Sequence, residues 1–135
     1  MKGLAEKQLD ELESILGVKL GPMLKSFYSQ ANGLMIFSGS LRVLGYVPND
    51  ALDSGVYDYP SSILTPNVSA RIDGLMEGDI VVGWYKNDGS YVVVKKNGEA
   101  SRYDVLGTGE ETQRWVDFDN WLASEIIVLH ENYTY

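Results

Sequence analysis

The residues able to do chemistry are few, and their spacing excludes more reactions than it suggests. His130 is the only histidine, set in Leu129-His130-Glu131. A nucleophilic triad needs a serine or threonine held against an imidazole, and no spacing assigns one to His130. One histidine cannot form a His-x-x-x-His zinc pair. His130 reads instead as part of a helix end or a solvated tail. Gly107-Thr108-Gly109-Glu110-Glu111-Thr112 opens like a phosphate loop, but it lacks the third glycine, the lysine and a long preceding strand. Its adjacent glutamates would repel phosphate, so it reads as a flexible connection. Asp50-Ala51-Leu52-Asp53 offers two carboxylates without the alternating acids, central glycine and distal glutamate of a calcium loop. Carboxylate pairs that hydrolyse glycosides are recognised only by their separation in space. The chain has no cysteine, which removes disulfides, thiolate catalysis and cysteine zinc sites together. The expectation is a protein with no catalytic residues, no metal and no cofactor, and hence not an enzyme.

Chemistry of recognition is better represented. Tyr46, Tyr57 and Tyr59 accompany Asp50, Asp53 and Asp58 along one stretch rich in proline, serine and glycine. Tyrosine supplies rigid contact area with a polar tip, and aspartate steers a basic partner, so these six residues are the candidate partner-binding set. The plainer alternative is that the tyrosines pin a long loop to a sheet, and both readings stand. The net charge of −8, from 19 acids against 11 bases, opposes contact with a nucleic-acid backbone and suits a basic protein. Between Val43 and Tyr85 six acids face the single base Arg71. General acidity for solubility would look the same. The start Met1-Lys2-Gly3-Leu4-Ala5-Glu6 does not resemble a signal peptide, and the aliphatic run Ile126 to Leu129 is too short to span a bilayer. A soluble protein of the cytoplasm, without membrane contact, is expected.

The elements that must carry these residues are legible from periodicity. Leu9, Leu12, Ile15 and Leu16 recur at helical spacing over 4–16 with Glu6, Asp10, Glu11 and Glu13 outward, and Gly17 ends the run. Pro22 suits a first helical position with Gly21 capping ahead of it. Met23, Leu24, Phe27, Tyr28 and Ala31 then form an apolar stripe, and Asn32-Gly33 tolerates the left-handed stop. Strands are expected over 34–37, 41–46, 79–85, 90–96 and 100–104, with turns at Asp88-Gly89 and Asn97-Gly98. The consecutive Val92, Val93 and Val94 suit a central strand covered on both faces. The segment 48–66 reads as a long loop, with a helical turn near Ser62. Asp117 starts a last helix, whose Phe118, Trp121, Leu122, Glu125 and Ile126 share a face. With 135 residues and 44% hydrophobic content, one α+β domain over 1–135 is expected, its sheet mainly antiparallel and flanked by N-terminal and C-terminal helices.

That order resembles the SUKH superfamily, which includes bacterial toxin-immunity proteins and fungal cell-wall regulators. The resemblance rests on Leu20, Pro22 and Asn32-Gly33, on the hairpin Gly83-Trp84-Tyr85-Lys86-Asn87-Asp88-Gly89-Ser90-Tyr91, and on Phe118 with Trp121-Leu122. It runs from about residue 4 to about residue 128. The chain departs from the pattern by an extra Gly21 between the leucine and the proline. The resemblance implies a non-catalytic immunity protein of a toxin-antitoxin pair, binding and neutralising a cognate polymorphic toxin such as a nuclease. The alternatives are a regulatory protein-binding scaffold, or a small hydrolase or ligand-binding domain with a cleft built from Tyr46, Trp84 and nearby acids.

Overall fold

A computed structural model describes the backbone of residues 3–36, 40–47, 62–69, 71–104 and 109–133, with side chains described as far as residue 127. Two helices come first, α1 (Glu6–Leu16) and α2 (Pro22–Gln30). Gln8 reaches back to accept the Ala5 N–H at 2.9 Å at the start of α1, and Gly17 closes it at φ 75°. Leu9 and Leu12 are buried as their spacing requires, but Ile15 is 41% exposed. Glu13, expected outside, is 6% exposed. Its Oε2 accepts the Leu20 N–H at 2.7 Å, so the carboxylate is buried to hold the link between the helices, with Lys19 at 3.9 Å and Lys25 at 4.0 Å. A helical-period reading cannot see a charge spent on a backbone donor seven residues away.

Gly21 and Pro22 start α2 as N-cap and first helical residue. The helix stops at Gln30, and Gly33 takes φ 91°. Among the described residues the chain then forms six strands, β1 (Leu34–Ile36), β2 (Leu41–Val43), β3 (Ile80–Tyr85), β4 (Tyr91–Val94), β5 (Ala100–Tyr103) and β6 (Glu111–Trp115). They lie in sequence order, each antiparallel to the next. The short turns at Asp88-Gly89 and Asn97-Gly98 dictate this meander, because turn-length connections join antiparallel neighbours. Val92, Val93 and Val94 fill the central β4 and are buried. A π-helical turn (Thr65–Ser69) begins at the end of the segment read as loop and leads toward β3.

Two further expectations need correction. Strand β6 occupies 111–115, including Glu111 and Thr112, which had been expected to belong to a flexible connection. Its sequence Glu-Thr-Gln-Arg-Trp carries no apolar alternation because the strand is the sheet edge, and its first four residues are exposed. Glu111 is held down to about 2 by hydrogen bonds from Arg114 and Ser101. The last helix, α3 (Phe118–Tyr133), starts where expected, and Asp117 caps it by accepting the Asn120 N–H at 2.8 Å. Ile126, however, is 44% exposed rather than inward.

Cross-strand partners share a face, so Val43, Gly83, Val92, Arg102 and Gln113 form one row across β2 to β6. Helix α3 lies on that row. A β-carbon on Gly83 would stand 2.8 Å from Trp121 Cη2, and Trp121 Nε1 donates to Tyr85 Oη at 2.8 Å. Phe118 touches both Trp121 and, at 5.2 Å between centroids, Phe27 of α2. The Tyr28 hydroxyl donates to Leu44 O, and the Leu4 N–H donates to Tyr28 O at 2.7 Å. The fold is α+β, with α2 and α3 joined through aromatic rings over one face of the sheet.

Trp121→Ala should therefore cost about 3–5 kcal/mol in urea unfolding, since the ring is fully buried. Gly33→Val should also destabilise the fold. It places a branched residue at positive φ, with a new β-carbon 2.9 Å from Gly45 N and Val43 O. Unchanged midpoints in either variant would contradict these packing assignments.

Candidate partner-binding surface

Of the candidate set, the described residues include Tyr46. It is 3% exposed. Its backbone is clamped by one side chain, for the Tyr46 N–H donates to Asn32 Oδ1 at 2.6 Å and Asn32 Nδ2 donates to Tyr46 O at 2.9 Å. Burial, and then the charge of the Glu11 carboxylate, hold the phenol above its ordinary value. The hydroxyl lies near the Glu11 carboxylate but makes no hydrogen bond of ordinary geometry among the described residues. Asp50, Asp53, Tyr57, Asp58 and Tyr59 lie outside the described residues. The structure thus places Tyr46 as a packed residue just beyond the end of β2. Trp84, suggested with it for a cleft, is 7% exposed.

The same clamp recurs where β2 ends. There β3 loses its ladder partner, and the Asn67 side chain takes the vacant place: Val81 N–H donates to Asn67 Oδ1 at 2.8 Å, and Asn67 Nδ2 donates to Val81 O and to Ile63 O, each at 2.8 Å. A primary amide presents a donor and an acceptor in one plane, as a strand residue does. Periodicity alone could not reveal these roles, because both asparagines sit in segments that read as turn or loop.

A polar cluster covers the outer half of the α3-facing row. The Arg102 guanidinium stacks 3.6 Å from the Tyr85 ring centroid. Its Nε donates to Ser90 Oγ at 2.8 Å, one terminal nitrogen to Asp88 Oδ2 at 2.9 Å and the other to Gln113 Oε1 at 3.1 Å. Ser90 Oγ donates to Asp88 Oδ1 at 2.6 Å. Partial burial pushes Asp88 up, but the Ser90 bonds and the Arg102 charge outweigh it and leave the carboxyl below its usual value. The Ser90 hydroxyl is engaged on both sides, accepting from the Arg102 guanidinium and donating to the Asp88 carboxylate. The cluster ties the β3–β4 hairpin to β5 and β6. Among the described residues no group of three or more histidines or carboxylates could hold a metal ion.

A concavity lies elsewhere among the described residues. A groove of about 470 Å³ opens where α2 and α3 begin, beside the start of β3 and the end of β4. Leu24, Ile80, Val94 and Phe118 contribute its apolar surface, and Lys19, Lys96, Glu77 and Asp117 its charges. Among the described residues, exposed acids also stand along α1 at Glu6, Asp10 and Glu11. No described helix is long and apolar enough to cross a membrane.

The model of a family described as SMI1 / KNR4 (SUKH-1) matches residues 3–124. No curated protein matches the chain.

Asn32→Ala should lower stability by about 2–3 kcal/mol, because it strands both backbone groups of Tyr46 in a partly buried site. Tyr46→Phe should shift it much less than Asn32→Ala does, since it removes a hydroxyl that makes no hydrogen bond of ordinary geometry among the described residues. Urea denaturation of both variants checks the contrast, and a large loss in Tyr46→Phe would reveal a bond the geometry does not contain.

Proposed function

The chain belongs to the SMI1 / KNR4 family (SUKH-1), and on that premise we propose that it is a non-catalytic immunity protein that binds a cognate bacterial toxin and neutralises it by direct contact. The family match across residues 3–124 is the observation that carries this reading. A net charge of −8 supports a basic partner, such as a toxin that itself binds nucleic acid. The contact surface is assigned to the acidic, tyrosine-containing stretch that carries Tyr46, Asp50, Asp53, Tyr57, Asp58 and Tyr59. The site of action is the cytoplasm, where an incoming toxin would meet its target.

The decisive experiment is co-purification with the product of the neighbouring upstream gene, followed by a protection assay in cells expressing that product. Capture of a host regulatory protein instead, with no protection, would replace the immunity reading by the scaffold one. Surface plasmon resonance then tests the assigned surface. Reversing Asp50, Asp53 and Asp58 together to lysine should slow association, and added salt should mimic this in the parent, since exposed charges are screened beyond about 8 Å at physiological ionic strength. Tyr57→Ala with Tyr59→Ala should speed dissociation. A triple lysine variant that binds at the parent rate would move the contact to the acids between Glu110 and Glu131. His130→Ala should leave protection intact, and its loss in a folded variant would restore a role for that histidine.

A further inference from the structure

Helix α3 is capped by oxygen at one of its first amides and by sulfur at another. The Asn120 N–H goes to Asp117 Oδ1 at 2.8 Å, while the Asp119 N–H donates to Met23 Sδ of α2 at 3.3 Å. A thioether is a weak acceptor, and capping is ordinarily the work of an oxygen. The contact ties together the first turns of the two helices whose rings pack over the sheet. Met23 is partly buried and packs against the core.

Its side chain is nevertheless reachable from solvent. Met23 lines the 470 Å³ groove at the helix starts, and Gly21, in the same wall, leaves that groove open. The Gly21 φ of −66° and ψ of 165° are open to any residue, yet no side chain stands there, and a β-carbon would meet no heavy atom within 4 Å. Two other methionines are more exposed, Met35 on β1 at 58% and Met76 just before β3 at 70%. They offer sulfur to the same reagents from places outside the link between the helices.

We propose that Met23 is an oxidisable latch between α2 and α3, the site at which a two-electron oxygen donor such as hydrogen peroxide alters the structure. The thioether gives a lone pair to one peroxide oxygen, the O–O bond breaks, and the other oxygen leaves as water. Sulfur is thereby oxidised by two electrons and the peroxide reduced by two. The lone pair turned to the Asp119 N–H is already engaged, so the oxygen adds to the other. Sulfur then sets partial positive charge against an N–H at the positive end of the helix dipole, and attraction becomes repulsion. The new oxygen also brings a polar group into apolar packing. Thiol-dependent sulfoxide reductases remove that oxygen as water and restore the thioether, so the latch is reversible. The inference is independent of the immunity reading and of the stretch assigned to toxin contact.

The test treats the full chain with hydrogen peroxide and follows each methionine by mass spectrometry, together with the thermal midpoint and amide hydrogen exchange. As Met23 gains one oxygen, the midpoint should fall by about 3–5 °C, and exchange across the first turn of α3 should quicken about ten-fold. Both should return on treatment with methionine sulfoxide reductases. Met35→Leu with Met76→Leu should leave this response whole. Met23→Leu should abolish it, since leucine keeps the apolar contact without a sulfur to oxidise. If Met23→Leu fails to fold, the double variant decides, because Met23 is then the only methionine besides Met1. Three results would each overturn the proposal: Met23 left unmodified while Met35 and Met76 are converted, Met23 oxidised with midpoint and exchange unchanged, or a response that persists in Met23→Leu.

Discussion

The Trp121 ring rests on the bare backbone of Gly83, and most of the described architecture depends on that contact. Only a residue without a β-carbon lets the indole approach so closely. The approach brings Nε1 within reach of the Tyr85 hydroxyl, and Tyr85 in turn is the platform on which Arg102 stacks. Arg102 gathers Asp88, Ser90 and Gln113. On the other side Phe118 passes the packing to Phe27 and so to α2. One glycine therefore couples a helix layer to a polar cluster that fixes the far end of the sheet. The register shift of β3 falls between Val81 and Gly83, where a bulge re-aims the strand beneath the indole.

The second organising device is the asparagine amide used as a piece of strand. Strand β2 is three residues long, too short to satisfy β3 along its length, and the chain beyond it turns away toward Ser62 through a parallel bridge at Gly45. Asn67 completes β3 at Val81, and Asn32 completes the chain at Tyr46. Each supplies a neutral donor and acceptor where an unpaired pair of backbone groups would be costly to bury. The groove at the helix starts is the complementary case, a place where the fold leaves space unfilled although an ordinary side chain would fit.

Much of this was legible in the sequence. Helix α2 announced its start through Gly21-Pro22, and α3 did so through Asp117, because caps and proline act on the nearest few residues. The meander followed from turn chemistry between β-branched runs. What escaped had non-local causes. Strand β6 is polar because it lies at an edge, so its strand character comes from pairing with β5. Glu13 looked like a solvated helix charge until the chain returned at Leu20. Ile15 and Ile126 obeyed the helical period yet met no neighbour that buries them. The roles of Asn32 and Asn67 depend on backbone groups fourteen residues away. The groove, built from the ends of four elements, has no signal except a glycine that nothing local demands. Of the candidate contact residues, the structure describes Tyr46 and finds it packed inside.

The clamp at Asn32 also carries a chemical lifetime. Asparagine followed by glycine is the pair most open to loss of side-chain ammonia, because an unhindered backbone nitrogen can attack the amide carbon, and the resulting ring opens with water to a carboxylate. Two such pairs occur, Asn32-Gly33 and Asn97-Gly98. At Asn97 the side-chain oxygen accepts from Glu99 N–H, a duty a carboxylate performs equally well. At Asn32 the nitrogen itself is in use, donating to Tyr46 O. A carboxylate there would set lone pairs against a carbonyl and place a charge in a partly buried site. A carboxylate thus keeps the acceptor that the turn uses at Asn97 but removes the donor on which the clamp at Asn32 depends.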